Sequence, residues 1–282
     1  MNGRLGLGPA ILFCPADRPD RYGKALERAD AVILDLEDGV TPAGRPAARR
    51  ALAEFGASDD VPVDRVIVRV SPVGTSDHER DVQVLSCTPF RTLMIPKADS
   101  VEQFDALAGS LDDTRAIALC ETAAGVVAAP QLARHPCVVA LMWGAEDLVV
   151  SLGGTSSRRT DGRYRDVARF ARSAVLVAAG AAGIDAIDAV HVDLDDLASL
   201  AEEAEDAVAS GFCATACLHP RQVPVVRQAY GPEADEVERA RRVIASAEGA
   251  SGAFRLDGRM IDEPLLAQAR AVLRRAGEGR TP

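Results

Sequence analysis

The chain is 282 residues long, 48% hydrophobic and 26% charged, the balance of a globular protein with an ample core. That composition excludes general disorder, a collagen-like rod and a coiled-coil rod, and no apolar run approaches the ~20 residues that cross a bilayer. Lys and Arg number 32 against 42 Asp and Glu, so the net charge is −10 and the chain is a poor bulk partner for nucleic acid or an anionic membrane.

The first residues lack the charged-then-apolar layout of a secretion signal. The six cysteines contain no C-x-x-C and no histidine pair to complete a zinc site. These features predict a cytoplasmic protein with reduced cysteines that act as small hydrophobes.

In chain order, eight apolar runs read as strands: 11–14, 31–35, 65–70, 92–96, 116–120, 138–143, 186–192 and 213–218. They are almost continuously apolar rather than alternating, the pattern of parallel strands buried on both faces. Ala-rich amphipathic segments follow them in turn at 18–28, 45–54, 76–86, 100–109, 122–134, 165–180, 194–210 and 220–230. Eight strand–helix units within residues 1–230 predict an α/β protein with a (β/α)8 TIM barrel. A doubly wound open sheet is the rival, because periodicity does not report closure. No G-x-G-x-x-G follows the first strand, which argues against a dinucleotide site. The stretch 152–159, L-G-G-T-S-S-R-R, predicts a flexible polar loop. Residues 231–282 are surplus to the barrel and predict a helical extension. It comprises a helix over 233–247, a Gly- and Ser-containing hinge over 248–252 and a last helix over 263–275.

A (β/α)8 barrel gathers its chemistry at the C-terminal ends of its strands. The second strand ends in Asp35, Glu37 and Asp38, the third in Arg69, the fourth in Lys97, the fifth in Glu121 and the sixth in Glu146 and Asp147. Acids converging on one apolar rim repel one another unless a cation sits among them. Oxygen donors without His or Cys favour Mg2+ or Mn2+, so Glu121 and Asp147 are the candidate metal ligands. Arg69, facing those acids, is the candidate anion-binding residue. Each assignment has a structural alternative: Asp35 and Asp38 as turn or cap residues, Glu121 as a first-turn acid, Lys97 as a salt-bridge partner. His191 and His219 read as packed rim residues, and His78 and His135 as surface residues.

The segments F-C-P-A-D-R-P-D-R (13–21), V-I-L-D-L-E-D (32–38), V-R-V (68–70), P-K (96–97), E-T (121–122), G-A-E-D-L (144–148) and G-R-M-I-D-E-P (258–264) resemble the citrate lyase beta-subunit-like branch of the HpcH/HpaI aldolase family. The resemblance spans nearly the whole chain. It implies a barrel that binds Mg2+ and makes or breaks a carbon–carbon bond in a 3-hydroxyacyl-CoA thioester. Malyl-, citramalyl-, citryl- and 3-hydroxy-3-methylglutaryl-CoA are the candidate substrates. It implies Glu121 and Asp147 as metal ligands, with Glu37 and Asp38 holding metal-bound waters. It further implies Arg69 on the substrate's carbonyl or carboxylate oxygen, and Gly144 and Ala145 along the acyl pocket. Arg18 and Lys24 would face the CoA phosphates. Asp262, whose other reading is a cap on the last helix, would reach a neighbouring subunit's site in a homo-oligomer, a trimer. The alternatives are a metal-dependent aldolase acting on free 2-oxo acids and the beta subunit of a multi-subunit citrate lyase.

Overall fold

The computed structural model describes residues 5–247 and 252–277. Strand β1 (Ala10–Pro15) leads through a 3-10 turn, Pro19–Arg21, into α1 (Tyr22–Arg28). Then follow β2 (Ala31–Asp35), α2 (Arg45–Gly56), β3 (Val66–Arg69), α3 (Ser76–Leu85), β4 (Thr92–Ile95), α4 (Glu102–Ala108), β5 (Arg115–Cys120) and α5 (Ala123–Leu132). The succession continues with β6 (Val138–Trp143), α6 (Ala145–Ser151), α7 (Asp166–Ala182), β7 (Asp185–Asp188), α8 (Leu197–Ser210), β8 (Ala214–Cys217) and α9 (Gln222–Tyr230).

The eight strands are parallel and close on themselves in sequence order, β8 returning to β1 through Ala10↔Thr215, Ile11↔Ala216 and Leu12↔Cys217. Closure decides between the barrel and the open sheet in favour of the barrel. The lumen is filled by side chains: Ile11, Ile33, Ile67, Met94, Ile117, Leu119, Met142 and Ile187 are all buried in one cluster. Each such side chain contributes roughly 1.5–3 kcal/mol on leaving water. The helices follow local signals. Thr75 caps α3 by accepting from the His78 amide, and Thr122 caps α5 by accepting from the Gly125 amide. Helix α7 ends on Gly183, at φ 71°, and α8 on Gly211, at φ 115°.

The chain divides into two compact units, one ending at Val226 and one starting at Arg227. The second unit holds α10 (Ala234–Ala247), β9 (Phe254–Leu256), β10 (Arg259–Ile261) and α11 (Glu263–Arg275). Its core is Ala240, Val243, Ile261 and Ala269 with flanking aliphatic side chains.

Four expectations need correction. The extension is not all helical, because β9 and β10 pair as an antiparallel hairpin. Asp257 and Gly258 turn it at φ 47° and 79°, the left-handed pair that an Asp-Gly dipeptide favours. The strand expected over 186–192 stops at Asp188, whose carboxylate takes the Trp143 indole N–H and a forked Arg172. The loop expected to be flexible is pinned: Ser157 Oγ donates to Glu146 Oε1 at 2.6 Å, and Arg158 stacks 3.8 Å over the Tyr164 ring and pairs with Glu203. His78 is buried rather than superficial, with Nδ1 2.9 Å from the Ser71 carbonyl, and the His135 ring lies between Cys137 and Asp105. The hinge expected over 248–252 lies, for 248–251, outside the described residues. Among the described residues no helix is long and apolar enough to cross a membrane.

Candidate active site

Register brings the polar strand ends together. β2 and β3 pair with Asp35 beside Arg69, and β5 and β6 pair with Cys120 beside Trp143. Glu121 and Gly144 therefore leave the barrel as neighbours. A Cβ on Gly144 would lie 2.8 Å from the Glu121 Cβ, so only glycine lets the two strand ends approach this closely. Gly39 is constrained likewise, since a Cβ there would lie 2.4 Å from Asp35 Oδ2.

A cavity of about 360 Å³ opens at this end of the barrel. Arg69, Glu121, Asp147, Asp38, Gly144 and Ala145 line it, beside Phe13, Trp143 and Leu218. Arg69 is the most constrained of them. Its Nε and Nη2 donate to Asp35 Oδ1 and Oδ2 at 2.7 and 2.6 Å, a two-bond fork. Its guanidinium also lies 5.0 Å from the Phe13 ring centroid. Nη1 stands 2.9 Å from Glu37 Oε2 as an ion pair but makes no aligned hydrogen bond, and that buried oxygen has no hydrogen-bond partner. Asp35 in turn accepts the Glu37 and Gly39 amides, so it fixes the turn and the arginine together. Beyond Arg69, Asp81 anchors the chain by accepting Ser71 N–H at 2.8 Å and Arg49 Nε at 2.6 Å.

On the opposite side, burial first, then the charges of Asp147 and Glu37, push the Glu121 carboxyl up to about 7. Burial also raises the Glu37 carboxyl, although Arg69 and Lys97 pull against it. Lys97 reaches into this acidic group: Nζ lies 2.6 Å from Glu37, 3.8 Å from Glu121 and 3.7 Å from Asp147. Its backbone sits at φ 49°, a strained conformation for lysine, and that turn aims the Lys97 N–H at Glu121 Oε1, 3.0 Å away. Lys97 is thus a salt-bridge partner of three rim acids at once. Among the described residues no group of three or more His, Cys, Asp or Glu side chains forms a closed metal cage. The rim offers two carboxylates, Glu121 buried and Asp147 half-exposed, with open space beside them.

The two predicted CoA contacts, both in the barrel unit, lie outside the cavity. Arg18 precedes the first 3-10 turn and forks onto Asp20, while Lys24 is exposed on α1; neither lines the cavity. Asp262, in the second unit, caps α11 by accepting the Leu265 amide at 3.3 Å. Sequence reasoning underrated Asp35 and did not find Phe13 or Ser157. The adjacency of D-L-E-D to V-R-V in neighbouring strands was the available signal for Asp35, because register puts the last acid of one strand beside the arginine of the next.

The sequence pattern of the HpcH/HpaI aldolase/citrate lyase family matches residues 10–220. The citrate lyase subunit beta-like protein of Mycobacterium tuberculosis is 52% identical over 280 residues, covering 99% of this chain and 98% of that protein. A (3S)-malyl-CoA thioesterase of Cereibacter sphaeroides is 30% identical, covering 95% of this chain and 94% of its own length. The crystal structure of Mycobacterium tuberculosis CitE in complex with magnesium, acetoacetate and coenzyme A superposes with a TM-score of 0.89 at 50% identity, covering 97% of this chain and all of that one. A closed parallel barrel, an arginine forked to an aspartate across β2 and β3, and this full-length likeness converge on one assignment: the chain belongs to the HpcH/HpaI aldolase/citrate lyase family.

Proposed function

We propose that the chain is a Mg2+-dependent carbon–carbon lyase acting on a 3-hydroxyacyl-CoA thioester. The observation that carries this reading is Arg69, locked by Asp35 and ion-paired with Glu37, in one cavity with Glu121 and Asp147. The residues fit a hard cation. Their donors are carboxylate oxygens, and the Glu121 carboxyl is raised first by burial and then by the charges of Asp147 and Glu37, which a bound cation would offset. Glu121 and Asp147 would hold the ion, with Glu37 and Asp38 ordering its waters. When bound, Mg2+ supplies a Lewis acid that polarises a carbonyl oxygen.

The rest of the chemistry belongs to the chain. A rim carboxylate takes the proton of the substrate's 3-hydroxyl. The bond between the second and third carbons breaks, the hydroxyl carbon becomes a carbonyl, and the electron pair moves into the thioester enolate. That enolate takes up a proton to give the shorter acyl-CoA. Arg69 donates to the oxygen where negative charge develops, and Gly144 and Ala145 border the acyl group. Arg18 and Lys24 contact the CoA phosphates. Residues 1–230 act as the catalytic barrel and 231–282 as a cap. The active unit is a cytoplasmic homo-oligomer, a trimer, in which Asp262 of one copy handles a proton at the next.

The test is purified protein with Mg2+ and malyl-, citramalyl-, citryl- or 3-hydroxy-3-methylglutaryl-CoA, followed by chromatography of the CoA products. Acetyl-CoA release from one of these supports the reading. Free CoA as the sole thiol product points instead to a thioesterase, the activity named for the Cereibacter relative. Cleavage of free 2-oxo acids, or turnover only beside further subunits, identifies the CoA-free aldolase or the complex-bound beta subunit.

Two predictions follow from this placement. Replacing both Arg18 and Lys24 with Ala raises KM for the thioester while leaving Mg2+ affinity unchanged. Titration calorimetry and initial rates measure the two quantities, and an unchanged KM removes both residues from the CoA site. Asp262→Ala and Glu121→Ala are each inactive alone. After verified subunit exchange their mixture recovers part of the activity, and a mixture that stays inactive rules out a shared site.

A further inference from the structure

The rim carries two adjacent acids that the proposed chemistry uses unequally. Glu146 and Asp147 sit together in the first turn of α6, and both line the cavity at the barrel end. Nothing local decides which of them faces a cation. Helix α6 has only seven residues, and Gly144 at its N-cap makes no side-chain bond to hold the first turn.

The loop after α6 makes the distinction. Ser157 is 2% exposed, and its Oγ donates to Glu146 Oε1 at 2.6 Å. The contact of Asp147 is looser, with Lys97 Nζ 3.7 Å away. Ser157 is itself held from two sides. Ahead of it, the Gly154 amide donates to the Val149 carbonyl at 2.8 Å, and a Cβ on Gly154 would lie 2.9 Å from Val149 Cγ1, so the loop crosses α6 in close contact. Behind it, the Arg165 amide donates to the Ser157 carbonyl at 2.8 Å, and Arg158 is anchored on Tyr164 and Glu203. Tyr164 in turn packs edge-on against Trp143, which lines the same cavity, with ring centroids 5.2 Å apart.

We propose that Ser157 is a positioning residue that holds Glu146 off the cation, so that Asp147 alone of the adjacent pair ligates it and the site takes Mg2+ in preference to Ca2+. The inference rests on the metal reading above and adds to it the device that selects the ion. Mg2+ keeps several waters and takes one or two carboxylates, which Glu121 and Asp147 supply; Ca2+ takes roughly six to eight oxygens in flexible geometry and gains from a further carboxylate. A released Glu146 is that carboxylate, in the same opening. A hydrogen bond onto an ionised oxygen is of the stronger kind, and outer partners of this type change metal affinity by roughly 10–100-fold.

The experiment is calorimetric titration of the full-length protein with Mg2+ alone and with Ca2+ alone, for the parent, Ser157→Ala, Glu146→Gln and the double variant. Ser157→Ala is expected to bind Ca2+ tighter by roughly tenfold or more, with a smaller change for Mg2+. The double variant returns the ratio of the two affinities to the parent's, because the amide adds no charge; a loop merely damaged by Ser157→Ala would not be repaired by a second substitution. Glu146→Gln alone leaves Mg2+ affinity near the parent's. An unchanged ratio in Ser157→Ala, or a ratio that stays shifted in the double variant, overturns the proposal and leaves the lyase reading intact. So does a Glu146→Gln protein that loses Mg2+ as fully as Asp147→Ala does, an outcome that needs no folded Ser157 variant. A parent that binds neither ion overturns the metal reading and the proposal together.

Discussion

Arg69→Ala is expected to lose roughly 10²–10³-fold in lyase turnover, the usual effect of removing one donor aimed at developing negative charge. The same change destabilises the protein by about 3–5 kcal/mol at pH 8, because it leaves the buried Asp35 and Glu37 without their shared cation. The two losses separate with pH. Burial already raises the Glu37 carboxyl with Arg69 and Lys97 beside it, and without the guanidinium it rises further. A carboxyl raised in the folded state binds a proton that the unfolded state has released, so the variant loses stability as pH increases. Urea unfolding should therefore show a smaller difference from the parent at pH 5 than at pH 8. Arg69→Lys keeps the charge but not the fork, and it recovers stability more than turnover. A parent-like turnover in Arg69→Ala would reduce Arg69 to a structural tie between β2 and β3.

Glu121→Gln is expected to abolish Mg2+ binding and lyase activity while making the metal-free protein more stable above neutral pH. Most buried substitutions destabilise, so the sign is diagnostic. Glu121 is 4% exposed, and its carboxyl is pushed from an ordinary 4.5 to about 7. Below the unfolded value both states hold the proton and the residue is neutral to stability. Between 4.5 and 7 only the folded state does, so stability falls through that window as pH rises. Above it the charged group costs the fold about 3 kcal/mol, at 1.36 kcal/mol per pH unit. Glutamine avoids this cost and can still accept the Lys97 amide. In the parent, protons compete with the metal at the same oxygen, so Mg2+ affinity should weaken about tenfold per pH unit below about 7. Calorimetric titration from pH 6 to 8 and unfolding of the metal-free proteins measure both halves. Equal stability at pH 5 and 8 in parent and variant would show that Glu121 carries no buried charge.

The eight strands were legible because each carries its own evidence. Runs such as 31–35 and 138–143 are apolar at every position, and only two-sided burial in a parallel sheet accounts for that, so β2 and β6 appear with the expected bounds. The rim residues were legible for a related reason: a charge directly after such a run has nowhere to go but the strand end. Arg69, the last residue of β3, and Glu121, directly after β5, reach the same cavity on that logic, and Asp147 joins them from the first turn of α6.

Closure and pairing were not legible, because periodicity describes one strand at a time. The two-residue spacing within D-L-E-D does not say that Asp35 forks onto Arg69, since that bond depends on the register between β2 and β3. Nor does the sequence show that Lys97 adopts a left-handed backbone to serve three acids. Helix α6 has only seven residues, too few for a period, and the Gly- and Ser-rich loop after it is pinned by contacts from distant segments such as Glu203. Local composition determined which segments become strands and which ends carry charge; side chains far apart in the chain had to be brought within bonding distance before it was decided which of those charges hold one another and which face the cavity.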